Sequence, residues 1–147
     1  MDSGVRMTLL PRKGLLAIAA VIDVALHGKG RPVSAKALAA RHSLPARHLE
    51  PVLQALVRMG ILRGIRGPRG GYELARERRR ITTDDILRAA GTIEEPGDPP
   101  ATAGSALLNE VVAPAISQAE RAFSVALSRI SLNELVRKAE PLRDATT

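Results

Sequence analysis

The hydrophobic periodicity of this chain changes abruptly after Gly60, and that change constrains the fold more than any other feature. Upstream, Leu49, Val52, Leu53, Leu56 and Val57 stand at the i, i+3, i+4, i+7, i+8 spacing of one helix face. Downstream, Ile61 to Arg66 and Gly71 to Leu74 read as two short strands. Gly67-Pro68-Arg69-Gly70 between them is a turn in both composition and length. An amphipathic helix therefore ends at a C-cap glycine, Gly60, and runs directly into a hairpin with an arginine-bearing tip.

The remaining elements follow from the same signals. Residues 1–11 read as a flexible start ending at Pro11. Residues 12–27 form a helix apolar nearly all round, which must be buried on most sides; His27-Gly28-Lys29-Gly30 stops it. Ser34 is an N-cap for a short helix, Ala35 to Arg41. His42-Ser43-Leu44 is a tight turn, and Pro45 fits the first position of the next helix, which runs to about Met59. Thr82 and Asp85 make a capping-box pattern for a helix that stops at Gly91. Residues 92–104, with three prolines and Glu94, Glu95 and Asp98, read as a loop. From Ser105 a long helix begins. Leu108, Val112, Ile116 (or Ala115), Ala119, Phe123, Ala126 and Ile130 recur at steps of three and four, a seam suited to a coiled-coil partner. Pro114 either starts the regular helix or kinks it. Ser131 and Glu134 open a last short helix.

Charge divides the chain. Residues 1–90 carry 17 Lys/Arg against 7 Asp/Glu, and residues 91–147 carry 5 against 8. The densest basic stretch, Arg58 to Arg80, contains eight arginines, the residue suited to bidentate phosphate and guanine contacts. Cysteine is absent, which excludes disulfides, cysteine nucleophiles, zinc–thiolate sites and cysteine-ligated iron–sulfur clusters. Tyr72 and Phe123 are the only aromatics, so a base-stacking RNA platform of the kind that needs several rings is not expected. The longest apolar stretch, Gly14 to Leu26, contains Asp23 and is too short to cross a bilayer, so a cytoplasmic protein without membrane partners is expected. No Ser-His-Asp spacing is visible, and no carboxylate pair stands in a plausible cleft. Gly67 to Gly71 lies in a hairpin and not between a strand and a helix, so neither an enzyme nor a nucleotide site is expected.

Helix, helix, turn, helix, then a hairpin is the winged helix-turn-helix layout. In such an arrangement the second helix of the pair enters the major groove and the first crosses the backbone. The hairpin reaches the flanking minor groove, where narrow width concentrates negative potential and attracts arginine. Arg66 and Arg69 are the candidates for that contact, and Gly67 and Gly70 allow close approach of the backbone to phosphate.

The stretch Arg66-Gly67-Pro68-Arg69-Gly70-Gly71-Tyr72-Glu73-Leu74-Ala75, followed by Ile81-Thr82-Thr83-Asp84-Asp85-Ile86-Leu87-Arg88-Ala89, resembles the Rrf2 family of bacterial transcription regulators. Lys13-Gly14, Pro32-Val33-Ser34, Leu49-Glu50 and Ile130 to Leu135 fall where that family has similar residues. The resemblance implies a homodimer, palindromic operator DNA, usually repression, and heads held by a long C-terminal dimerisation helix. It also implies that Arg66 enters the minor groove, that Glu50 helps read bases, and that Ser34, Pro45, Arg47 and His48 face DNA. Many members carry three cysteines for an iron–sulfur cluster in the loop that corresponds to 92–104. This chain has none there, so no cofactor is expected. Pro51 falls inside the recognition helix and should bend it near Arg47.

The expected architecture is thus mostly α, with a winged helix-turn-helix domain over 7–91, a loop over 92–104, and a dimerisation helix with a short terminal helix over 105–140. The signal is left open between a small-molecule effector, a protein partner and none. The competing reading is a protein-interaction module whose DNA binding is weak or partner-dependent.

Overall fold

The computed structural model describes residues 10–91 and 105–142. The inner stripe of the amphipathic helix lies at its centre. Helix α3 (Ala46–Arg58) buries Leu49, Val52, Leu53 and Leu56 and leaves the opposite face in solvent. Helix α1 (Arg12–His27) crosses it and buries Ala17, Ala20, Val21 and Val24, as its nearly continuous apolar surface requires. Helix α2 (Ala35–His42) adds Leu38, and Ile61, Leu62, Ile81 and Ile86 close the same core. Truncating a side chain such as Leu53 to alanine in such a core costs about 2–5 kcal/mol.

Helix ends follow the local chemistry. The Ser34 side chain accepts from the Ala37 N–H at 3.0 Å. Helix α3 ends in a Schellman motif: the Ile61 N–H donates to the Leu56 carbonyl and the Gly60 N–H to the Val57 carbonyl. Pro45 precedes the first helical residue. Its φ of −66° suits a helix, but its ψ of 134° is extended, so it is the N-cap and Ala46 begins the helix. The turn between α2 and α3 uses Ser43 at φ +53°, the one non-glycine residue in the left-handed region among the described residues.

Strands β1 (Leu62–Ile65) and β2 (Gly71–Leu74) pair antiparallel, Leu62 with Leu74 and Ile65 with Gly71. Arg66, expected at the end of the first strand, instead belongs to the loop at the hairpin tip. Val33 bridges to Tyr72 through reciprocal N–H to carbonyl bonds of 2.8 Å and ties the hairpin to the entrance of α2. After a 3-10 turn at Arg78–Arg80, helix α4 (Thr83–Ala89) starts on a complete capping box between Thr82 and Asp85.

The long helix begins at residue 106 with a π turn, Leu108–Val112, and continues as α5 (Ala113–Ser128). Pro114 accounts for the change of pitch. It has no N–H to give to Glu110, and its ring crowds that carbonyl; a wider turn just before it relieves both. The helix stops before Ile130, whose carbonyl accepts from the Thr83 N–H in the turn to helix α6 (Leu132–Ala139). Ile130 is therefore not a position of the helical seam. Thr82 and Ser131, the N-caps of α4 and α6, pair as a one-residue bridge. Helix α6 turns back onto α1 and places Leu132 and Val136 in the central core. Leu10, expected in a flexible start, is buried with Leu87 and Leu127, and Phe123 packs against the same small cluster. The expected loop over 92–104 and the residues before Leu10 lie outside the described residues.

Candidate nucleic-acid interface

The amphipathicity that buries one face of α3 leaves Arg47, His48, Glu50, Pro51 and Gln54 exposed on the other. The helix runs unbroken through Pro51, which is itself exposed and leaves the Arg47 carbonyl without its usual i+4 donor. Beside this face stands the hairpin tip with Arg66, Gly67, Pro68 and Arg69, all exposed. Two glycines shape the tip. Gly67 sits at φ +112°, a conformation that disfavours side chains. A Cβ on Gly70 would collide with the Ile65 carbonyl oxygen, so the loop closes only around a glycine. A groove between α3 and the hairpin is lined by Gln54, Val57, Tyr72 and residues of the tip.

Four arginine side chains among the described residues are held by their own chain. Arg41 donates through Nε and Nη2 to the Asp23 carboxylate at 2.9 and 2.6 Å. Asp23 is 4% exposed, and the His42 ring meets its Oδ2 at 2.8 Å. Hydrogen bonding to Asp23 raises the Arg41 pKa against the opposing effect of burial, and the carboxylate's charge adds to the rise. That cluster fixes α2 against α1. Arg63 pairs with Glu73 across the hairpin at 2.8 Å. Arg76 donates to the carbonyls of Met59 and Gly60 at the end of α3. Arg88 donates to Asp84 and to Ser124 Oγ, and Ser124 donates to Asp84, which locks α4 to α5. By contrast the side chains of Arg47, Arg66 and Arg69 have no hydrogen-bond or ion-pair partner among the described residues, and neither has that of Glu50.

The structure thus gathers Pro45, Arg47, His48 and Glu50 on one exposed face, next to Arg66, Gly67, Arg69 and Gly70. Ser34 is half-buried and spent on capping α2, though its neighbour Val33 touches the hairpin. Along the long helix, Leu108, Val112, Ile116 and Ala119 are exposed, together with Leu107, Val111 and Val125. Phe123 is half-buried against its own chain. Sequence reasoning missed Asp23, Asp84, Ser124 and the capping role of Arg76. Only the position of Asp23 inside an otherwise apolar helix signalled a buried partner.

A recognition helix, a glycine-tipped wing and free arginines shared between them define a winged helix-turn-helix DNA-binding protein. The Rrf2 family profile, described as an iron-dependent transcriptional regulator, matches residues 10–138, and the chain belongs to that family. It is a family of transcriptional regulators and not of enzymes. The regulator IscR of Xenorhabdus nematophila is 31% identical over 137 residues, covering 90% of this chain and 82% of that one. Protein slr0846 of Synechocystis sp. is 39% identical over 87 residues, 59% of either chain. Among solved structures, T. potens IscR superposes with a TM-score of 0.70 at 28% identity, covering 95% of this chain and 92% of that one.

The family description implies iron, and the residues of this chain do not fit an iron–sulfur cluster. There is no cysteine to supply thiolates. His42 is engaged by Asp23, and among the described residues no group of three His, Asp or Glu side chains converges on a metal site. No helix among them is long and apolar enough to cross a membrane.

Proposed function

We propose that this chain is a sequence-specific operator-binding regulator that works as a homodimer, without a cluster, in the cytoplasm, most naturally as a repressor. The observation that carries this reading is the convergence of three exposed, unpaired arginines from two elements on one face: Arg47 from the first turn of α3, and Arg66 and Arg69 from the wing tip beside it. Other arginines are unpaired as well, but these three are the ones that a recognition helix and a wing bring together. In this reading Arg47 and His48 face the major groove, Arg66 and Arg69 take the flanking minor groove or phosphates, and Gly67 and Gly70 let the tip approach the strand. The unpaired Glu50 carboxylate disfavours phosphate and can accept from a cytosine amino group, so it contributes selectivity and not affinity.

Two such heads reading successive major grooves, about one helical turn apart, require a roughly palindromic site. The exposed seam of Leu108, Val112 and Ile116, with Ala119, supports pairing through the long helices; a chain alone leaves it in water. The test is selection of bound duplexes from a random pool, followed by titration against salt. About four phosphate contacts per head give a log–log slope of about −7. Recovery of no enriched sequence, or equal affinity for enriched and random duplexes at near-physiological salt, contradicts the proposal.

A further inference from the structure

We propose that the cleft between α3 and the wing holds one backbone phosphate of the bound duplex, gripped by Gln54 and Tyr72. The inference rests on the reading of this face as a DNA-binding surface and assigns a role there to Gln54, which lies outside the motif, and to Tyr72, which lies within it but is given no DNA contact by it.

Tyr72 is fixed on three sides. Its backbone N–H and carbonyl both bond to Val33 at 2.8 Å, and its ring packs against the central core. Its hydroxyl accepts from Gln54 Nε2 at 3.4 Å across the cleft. A hydroxyl that accepts this bond keeps its own proton to donate, and the Gln54 amide keeps a second N–H. No other partner takes either proton among the described residues. No carboxylate lines the cleft, and the charged group at its edge is Arg66. Two neutral donors beside a guanidinium make a site for an anionic oxygen.

Geometry selects the occupant. When a helix lies in the major groove and the wing in the adjacent minor groove, the strand between the grooves passes between helix and wing. Base edges are met by the first turns of a recognition helix. Gln54 is the ninth residue of α3, counted from Ala46, and it faces the wing. It therefore meets the backbone and positions the head without reading sequence.

The experiment uses the full chain and a selected duplex carrying one neutral methylphosphonate, moved step by step along each strand. Wild type should lose about tenfold in affinity at one phosphate per half-site, between the helix-contacted and wing-contacted bases. Tyr72→Phe keeps the packed ring and should melt as wild type does. It should bind the natural duplex roughly 10- to 100-fold more weakly, because each of two heads loses one hydrogen bond. That loss should be uniform across sequences, with the salt slope unchanged, since no charge is removed. The methylphosphonate penalty should shrink to about threefold in this variant. Gln54→Ala should behave alike. If Tyr72→Phe binds like wild type, or retains the full penalty, the clamp is wrong while operator binding stands. If Gln54→Ala relaxes preference at a single base pair, Gln54 reads a base and the clamp is equally wrong. If wild type prefers no duplex at all, operator binding itself fails and the clamp with it.

Discussion

The head and the long helix use the same apolar residue types in opposite ways. In the head, Leu38, Leu49, Leu53, Leu56 and Val21 are fully covered by their own chain. Along the helix, Leu107 is 65% exposed, Val111 58% and Ile116 55%. The difference lies in what the chain itself packs against each stripe. The head's stripe meets α1, α2 and the hairpin in the same chain, whereas a single helix projecting from α4 has covering elements only near Phe123 and Leu127. The head, with α6, thus covers its own apolar side chains, and the long helix leaves most of its own in solvent, as the proposed pairing requires. α6 sharpens the contrast: it follows the helix directly, yet it returns to α1 and belongs to the head.

The largest effect expected from breaking this comparison is at the helix. Ile116→Asp places an uncompensated carboxylate in the proposed seam, which costs several kcal/mol per buried charge. Sedimentation should show a monomer, the affinity for a palindromic duplex should fall by about 10²–10⁴ as the second head is lost, and the head should melt unchanged. Next comes Asp23→Ala in the head, which leaves Arg41 half-stranded beside the core. Urea unfolding should show a loss of about 2–4 kcal/mol, below the full cost of breaking a buried pair because Arg41 is partly hydrated, with dimerisation unaffected. Arg66→Ala should cost about 1–3 kcal/mol in DNA binding and reduce the salt slope by about one for each head, with no change in folding. A neutral result there places Arg66 in solvent. The smallest effect is a gain. Ser43→Gly removes the strain of a left-handed serine in the turn before α3 and should raise stability by about 0.5–1 kcal/mol.

How well the sequence foretold each part depended on distance along the chain. The stripe of α3, the closing glycine at Gly60 and the Thr82–Asp85 box were legible because each is decided within a few residues. The exposed face of α3 and the arginine-bearing tip were legible for the same reason. The partners of Asp23 were not. Arg41 and His42 lie 18 and 19 positions away, and nothing local distinguishes those two side chains from the unpaired ones. The same holds for Asp84 and Ser124, 40 positions apart. Arg76 looked like one more member of a basic run, and only the fold directs it to the carbonyls ending α3. Pro114 signalled a helix start or a kink in the long helix, and the π turn over Leu108–Val112 was neither of these. Ile130 kept the heptad spacing beyond the end of the helix, because spacing alone does not register a turn.

The most direct measurement is the mass of the complex formed on an enriched duplex, read by sedimentation at near-physiological salt. Two chains on one duplex, with the protein alone already paired at micromolar concentration, is the expected result. A single chain on each duplex, or a free protein that stays monomeric, would contradict the two-headed account.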